Sequence, residues 1–154
     1  MKKNWSGERL ETFIYSRDSI EHLHRYAIVS NYIKDKIVLD IASGEGYGSN
    51  IMSKEASFVY GVDIDNTTVQ KAKLKYKREN LEFLIGSASQ IPIDDNSIEV
   101  VVSFETIEHH NEHQEMMNEI KRVLKPNGIL IISTPDKLYY SDERNFKNQF
   151  HIKE

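Results

Sequence analysis

Ile37-Val-Leu-Asp-Ile-Ala-Ser-Gly-Glu-Gly-Tyr-Gly48 is the stretch that decides the fold. Ile37 to Ala42 is an apolar run broken by one acid, Asp40, and it reads as a buried strand. The glycines at 44, 46 and 48 impose a turn, and a helix is expected from about Tyr47 to Lys54. A second apolar run, Phe58-Val-Tyr-Gly-Val-Asp63, again ends in an acid. Strand, glycine turn, helix, strand, acid is the layout of a βαβ unit that holds a nucleotide-like ligand at its strand ends.

Working outward, a helix is expected over 19–34, capped by Asp18 or Ser19, with Ile20, Leu23, Ala27 and Ile33 near one face. After the second strand, Asp65-Asn66-Thr67 caps a helix from Thr68 to about Asn80 with Val69, Ala72 and Tyr76 inward. The basic run Lys71, Lys73, Lys75, Lys77, Arg78 reads as the solvated face of that helix. Leu81 to Ile85 is a third strand, and Pro92 with Asp94-Asp-Asn96 stops regular structure in a turn. Ile98 to Phe104 is a fourth strand. A helix over 112–124 follows, with Met116, Met117, Ile120, Val123 and Leu124 as its core stripe. Pro126-Asn-Gly128 ends it, and Ile129 to Ile132 is a fifth strand.

Five strands alternating with helices, most of them continuous apolar runs, imply an α/β protein. The expected architecture is a Rossmann-like, doubly wound, mainly parallel sheet of five strands. Three segments are expected: an N-terminal arm over 1–18, with Trp5, Phe13 and Tyr15 as isolated anchors, a core over 19–136, and a C-terminal segment over 137–154.

Composition excludes several classes. The 154 residues carry a net charge of −4, which leaves no basic excess to neutralise a phosphate backbone, so no nucleic-acid partner is expected. There is no cysteine, which excludes disulfides and thiolate metal sites and is compatible with a cytoplasmic setting. Met1-Lys-Lys is followed by polar residues, so no signal-peptide pattern is expected. No apolar string approaches the ~20 residues of a membrane span.

The glycine turn departs from a dinucleotide fingerprint. Counting Gly-x-Gly-x-x-Gly/Ala from Gly44 puts Ser49 at the last small position, and Asp40 precedes the turn. No Gly-Lys-Ser/Thr follows, so a phosphate-binding loop does not fit either. An acid in front of the turn suits a ligand with an amine and no phosphate. S-adenosylmethionine has an amino acid end, a ribose and an adenine. Asp40 is expected near the ammonium end, Gly44 and Gly46 where the backbone meets the ligand, and Asp63 on the ribose hydroxyls.

These motifs resemble those of class I S-adenosylmethionine-dependent methyltransferases. Val38 to Gly46 is similar to the family's first motif, with Ala42 where a glycine is common. Gly61-Val-Asp-Ile-Asp65 resembles the acid motif after the second strand. Gly86-Ser-Ala88 stands where the family often has Gly-Asp-Ala. Ile91 to Ser103 and Leu124 to Pro135 resemble the later core, so the likeness spans about 19–136. It implies S-adenosylmethionine as cofactor and the contact set Asp40, Ala42, Gly44, Gly46, Asp63, Ile64, Ser87, Ala88, Phe104 and Glu105. The full family fold adds a further helix and a C-terminal antiparallel hairpin, so this sheet is expected to lack the hairpin and the chain to be a shortened one. An open sheet edge makes a homodimer an expectation.

A narrower resemblance rests on Gly7-Glu-Arg9, Glu21 to Tyr26, Ser43 to Ser49, Phe104 to His109 and Asn148 to Glu154. These are similar to bacterial methyltransferases encoded with surface-glycan glycosyltransferases. The likeness implies a sugar or glycan acceptor, and the function expected is methyl transfer to a small-molecule, sugar or glycan acceptor at oxygen. Two readings stand for His22, His24, Arg25 and Tyr26: a lid helix over the cofactor, with Arg25 near its carboxylate, or, favoured, a helix that covers the sheet and exposes its polar residues.

A hydroxyl acceptor benefits from a base. Glu105, Glu108, His109 and His110 lie just past the fourth strand, and His109 is the candidate because its ordinary titration range suits the task. Glu105-x-x-Glu108-His109 also has the spacing of groups on one helical face, which would suit Mg²⁺ or Mn²⁺. The pattern occurs in related enzymes not thought to need metal, and no metal is expected here. Two other readings remain at this level: an S-adenosylmethionine-binding module without turnover, and a nicotinamide-dependent oxidoreductase, which Asp40 and Ser49 disfavour.

Overall fold

The computed structural model describes residues 17–136. The expected arm with Trp5, Phe13 and Tyr15, and the segment 137–154, lie outside the described residues, as do the side chains of Ile20, His22 and Leu23. The elements run α1 (Arg17–Ile33), β1 (Ile37–Ile41), α2 (Tyr47–Met52), β2 (Phe58–Asp63), α3 (Asn66–Lys75), β3 (Leu81–Ile85), β4 (Ile98–Phe104), a 3-10 turn (Ile107–His109), α4 (His113–Val123) and β5 (Leu124–Ser133).

All five strands form one sheet in the order β3-β2-β1-β4-β5, and every strand pair is parallel. The chain moves outward from β1 to β3, then returns to lay β4 on the other side of β1. Asp40 therefore sits in the middle of the sheet, opposite Gly61 on one side and Val102 on the other. The crevice of such a sheet opens beyond the carboxyl ends at this reversal point, between β1 and β4.

Both faces of the sheet are covered, as a parallel sheet requires. On one face Tyr26, Val29 and Ile33 of α1, Met52 of α2, and Val69 and Ala72 of α3 pack against Val38, Val59, Phe83 and Val102. On the other, Met116, Ile120 and Val123 of α4 pack with Ile91 against Leu39, Ile41, Val62 and Val101.

Several boundaries differ from the sequence reading. The buried stripe of α1 runs through Tyr26, Val29 and Ile33, while Ala27 is exposed. α3 starts at Asn66, where the Asp65 carboxylate accepts from the N–H groups of Thr67 and Thr68. It ends at Lys75 because Tyr76 turns extended (φ −118°), with its ring tilted against Phe83 at 6.4 Å. Met117 of α4 is 39% exposed and is no part of the core. Leu124 belongs to β5, which starts earlier than the apolar run suggests. Leu124 pairs with Ile98 and Ile129 with Val100, so the intervening residues bulge out, with Asn127 left-handed (φ 67°). Among the described residues β5 is an edge strand, and Ile129 and Ile132 are exposed along it.

Candidate functional site

The turn after β1 is built on three left-handed residues, Ala42 (φ 57°), Gly44 (φ 54°) and Gly46 (φ 79°). Glycine adopts this conformation freely; at Ala42 it costs about 1–2 kcal/mol. A Cβ on Gly44 would meet nothing within 4 Å, so its backbone faces open space. A Cβ on Gly46 would lie 2.5 Å from Phe83, so packing beneath the loop accounts for that glycine. The expectation that both glycines admit a ligand thus divides into one that faces outward and one that faces the core.

Two acids brace the loop from below. Asp63, at the end of β2, accepts the Gly44 N–H at 2.8 Å on one oxygen and the Asp65 N–H at 2.9 Å on the other. Asp40 is 1% exposed and accepts the Ser49 hydroxyl at 2.6 Å. Burial pushes its carboxyl up to about 7; the Ser49 hydrogen bond opposes the shift and the nearby Asp63 charge adds to it. Asp40 is therefore poised to gain charge when a cation arrives.

An aromatic wall stands over Asp40. Tyr26 from α1 meets Tyr47 of α2 edge-on at 5.6 Å and Phe104 of β4 edge-on at 5.2 Å. Burial, then the Asp40 charge, raises the Tyr26 hydroxyl well above its ordinary value, and the same two causes raise Tyr47. Sequence reasoning missed this wall and the Ser49–Asp40 bond. The signal for the wall was the spacing Tyr26, Val29, Ile33, a helical stripe with its aromatic end at the crevice.

The other expected contacts fall around the same rim. Ile64, next to Asp63, is 71% exposed, an apolar surface at the crevice. Gly86 donates its N–H to the Asp63 carbonyl at 3.1 Å, which brings Ser87 and Ala88 beside the end of β2. Ser87 and Ser89 share a hydroxyl contact of 3.0 Å.

Beyond β4 the groups separate by role. Glu105 is left-handed (φ 51°), a second non-glycine held in this conformation at a strand end. It donates its N–H to the Ser133 carbonyl at 3.0 Å and accepts the Ser133 hydroxyl at 2.9 Å, and Arg25 lies 3.4 Å away. Arg25 thus meets a carboxylate of the protein itself. Glu108 is 3% exposed and accepts the Thr134 hydroxyl at 3.1 Å on one oxygen. His109 ends the 3-10 turn, half-buried, with its N–H on the Thr106 carbonyl. The residues 105–109 do not lie on an α-helix, so the spacing argument for a shared face does not hold. Among the described residues no group of three or more His, Asp or Glu side chains is placed to hold a metal ion.

The fold and rim define a class: a Rossmann-like protein whose carboxyl-end crevice pairs an outward-facing glycine backbone with two acids. The donor set suits a ligand with an amine and a ribose diol, as S-adenosylmethionine has, and offers a diphosphate two carboxylates instead of cations. Residues 39–132 match the family described as methyltransferase domain, and the chain belongs to that family. A relative from Mycolicibacterium smegmatis, named a "probable S-adenosylmethionine-dependent methyltransferase", is 36% identical over 118 residues, 76% of this chain and 45% of that protein. A Mycobacterium ulcerans protein named phthiotriol/phenolphthiotriol dimycocerosates methyltransferase 1 is 28% identical over 119 residues, 75% of this chain and 43% of that one. Among solved structures, the YcgJ protein of Bacillus subtilis superposes with a TM-score of 0.67 at 25% identity, covering 72% of this chain and 50% of its own. The chain spans less than half the length of the curated relatives it matches. No helix among the described residues is long and apolar enough to cross a membrane. Membership of a methyltransferase family leaves the nicotinamide reading without support.

Proposed function

We propose that the core over 19–136 binds S-adenosylmethionine and that the protein transfers its methyl group to an oxygen of a small-molecule, sugar or glycan acceptor. The observation that carries this reading is the loop itself: Gly44 faces open space while Asp63 holds its N–H and Asp40 lies buried beneath. Bound S-adenosylmethionine supplies an electrophilic methyl group on a sulfonium. Asp40 offers a carboxylate to the ammonium end. Asp63, at the end of β2, takes the ribose hydroxyls, and Ile64 gives the adenine an apolar face. Ala42, Gly44, Gly46, Ser87, Ala88, Phe104 and Glu105 complete the rim, and the base lies in the segment past β4, where the sequence nominates His109. The net charge of −4 supports an uncharged or cationic acceptor over a polyanion. A cytoplasmic setting and a homodimer paired along the β5 edge belong to the same proposal, the latter read by sedimentation at rising concentration.

Calorimetry with S-adenosylmethionine, its demethylated product and NAD tests the reading. Binding of the first two without NAD is expected. Asp63→Ala should weaken binding at least tenfold, the loss of about two hydrogen bonds. Binding of NAD alone would sink the proposal, and binding of S-adenosylmethionine without transfer to any hydroxyl acceptor would favour a binding module.

A further inference from the structure

Buried polar side chains nearly always have a partner, and those that do not call for an explanation. In the stretch 103–113 four buried polar atoms have none among the described residues: Ser103 Oγ, Glu108 Oε1, His110 Nε2 and His113 Nε2. This stretch follows the carboxyl end of β4, at the mouth of the crevice. The costliest of the four is Glu108 Oε1, because it belongs to an acid with 3% exposure. Its other oxygen is fixed by Thr134, at the end of β5. The carboxylate is thus tied to the β4–β5 side of the crevice, while Asp40 and Asp63 serve the β1–β2 side.

We propose that Glu108, in preference to its neighbour His109, accepts the proton of the acceptor hydroxyl. The inference rests on the methyltransferase reading above. The acceptor O–H bond breaks as its proton passes to Glu108 Oε1. The oxygen electron pair forms the new C–O bond, and the C–S bond breaks with its pair kept by sulfur. A hydroxyl donating to Oε1 satisfies the unpaired oxygen, which fits an alcohol or sugar acceptor.

Burial, with the charge of Glu105 at the end of β4 adding to it, raises the Glu108 carboxyl; its own backbone N–H opposes this most, and His109 on its own turn and Thr134 from β5 also lower it. A carboxylate with a raised pKa is the stronger base. Protonation removes its function, so transfer falls on the acid side of its titration.

The test uses a panel of methyl hexosides as acceptor probes. Binding is read on the protein saturated with demethylated cofactor, and transfer on the protein with S-adenosylmethionine. In the wild type the probes should shift the backbone NMR signals of His110, His113 and Thr134, and the rate should show an acid limb. Glu108→Gln should keep S-adenosylmethionine affinity within about twofold, lower transfer about 100-fold and erase the acid limb. Thr134→Val should move that limb to higher pH, because it removes a hydrogen bond that favours the ionised form. Wild-type transfer and pH profile in Glu108→Gln, an unmoved limb in Thr134→Val, or probes that leave the three signals unshifted would each overturn the inference alone. Failure of the wild type to bind S-adenosylmethionine would instead remove the reading beneath it.

Discussion

At the scale of single residues, Gly44 and Gly46 share a conformation and differ in surroundings. Gly44→Ala adds a Cβ in open space, so its cost to stability should be about 1–2 kcal/mol, the penalty of the left-handed backbone alone. Its cost to S-adenosylmethionine binding should be larger, because the Cβ occupies the ligand's side. Gly46→Ala drives a Cβ into Phe83 and should cost about 2–4 kcal/mol, backbone strain plus overpacking. Paired melts and titrations on the two variants separate the effects; equal losses of stability would show that the loop can rearrange. Asp40 makes a prediction in pH. Its native pKa of about 7 lies above the ordinary 3.8. Between those values the native state keeps a proton that the unfolded chain has released, so stability falls as pH rises through the window and the penalty is complete above pH 7. Asp40→Asn should therefore flatten the melting temperature between pH 5 and 8, with its largest relative gain at the alkaline end. A wild-type melting temperature that rises steadily across this window would contradict the assignment.

At the scale of elements, the connection from β3 to β4 carries no helix and is held to α4, with Arg122 making most of the side-chain bonds. Arg122 of α4 donates to the carbonyls of Ile91 and Ile93 and to the carboxylates of Asp95 and Glu119. Glu119 in turn accepts the Ile91 N–H at 2.8 Å. Arg122→Ala leaves these acceptors to water and should cost about 1–3 kcal/mol, with faster proteolysis between Ile91 and Asn96. An unchanged cleavage rate would mean that Ile91, buried in the core, pins the connection by itself. The sequence made most elements legible, since β1 to β4 are apolar runs bounded by glycine, proline and acids. It also placed both acids and the glycine turn at the carboxyl ends. It did not show where α3 stops, because Tyr76 continues the helical pattern and only its contact with Phe83 turns the chain. The start of β5 was equally hidden, since Pro126-Asn-Gly128 reads as a terminator and is in fact a bulge inside a strand. The site was legible where chemistry follows spacing, at Asp40, Gly44 and Asp63. It was not where tertiary packing assigns partners: nothing local says that Ser49 meets Asp40, that Arg25 meets Glu105, or that Glu108 is buried.

At the scale of the whole molecule, the sheet order divides the chain into two halves of different locality. β1, β2 and β3 join in sequence order, each to its predecessor, across short helical connections. β4 must then return past both to reach β1, and the two ends of that reach are tied by the Ile37 N–H on the Glu99 carboxylate at 3.0 Å, 62 residues apart. Closing so long a loop spends chain entropy before any contact rewards it. The route by which the chain finds its shape follows from this. The first three strands with α2 and α3 can form a nucleus, and β4 with β5 dock onto it in the slow step. Stopped-flow refolding should then show that trimming Val59 or Val69 to Ala slows folding, while trimming Ile131 to Ala mainly speeds unfolding. The reverse assignment of rates would place the nucleus at β4. Because the crevice lies between β1 and β4, it comes into being only in that last step. A nascent chain would carry Asp40, Gly44 and Asp63 already arranged, and would still lack the side of the crevice that β4 supplies.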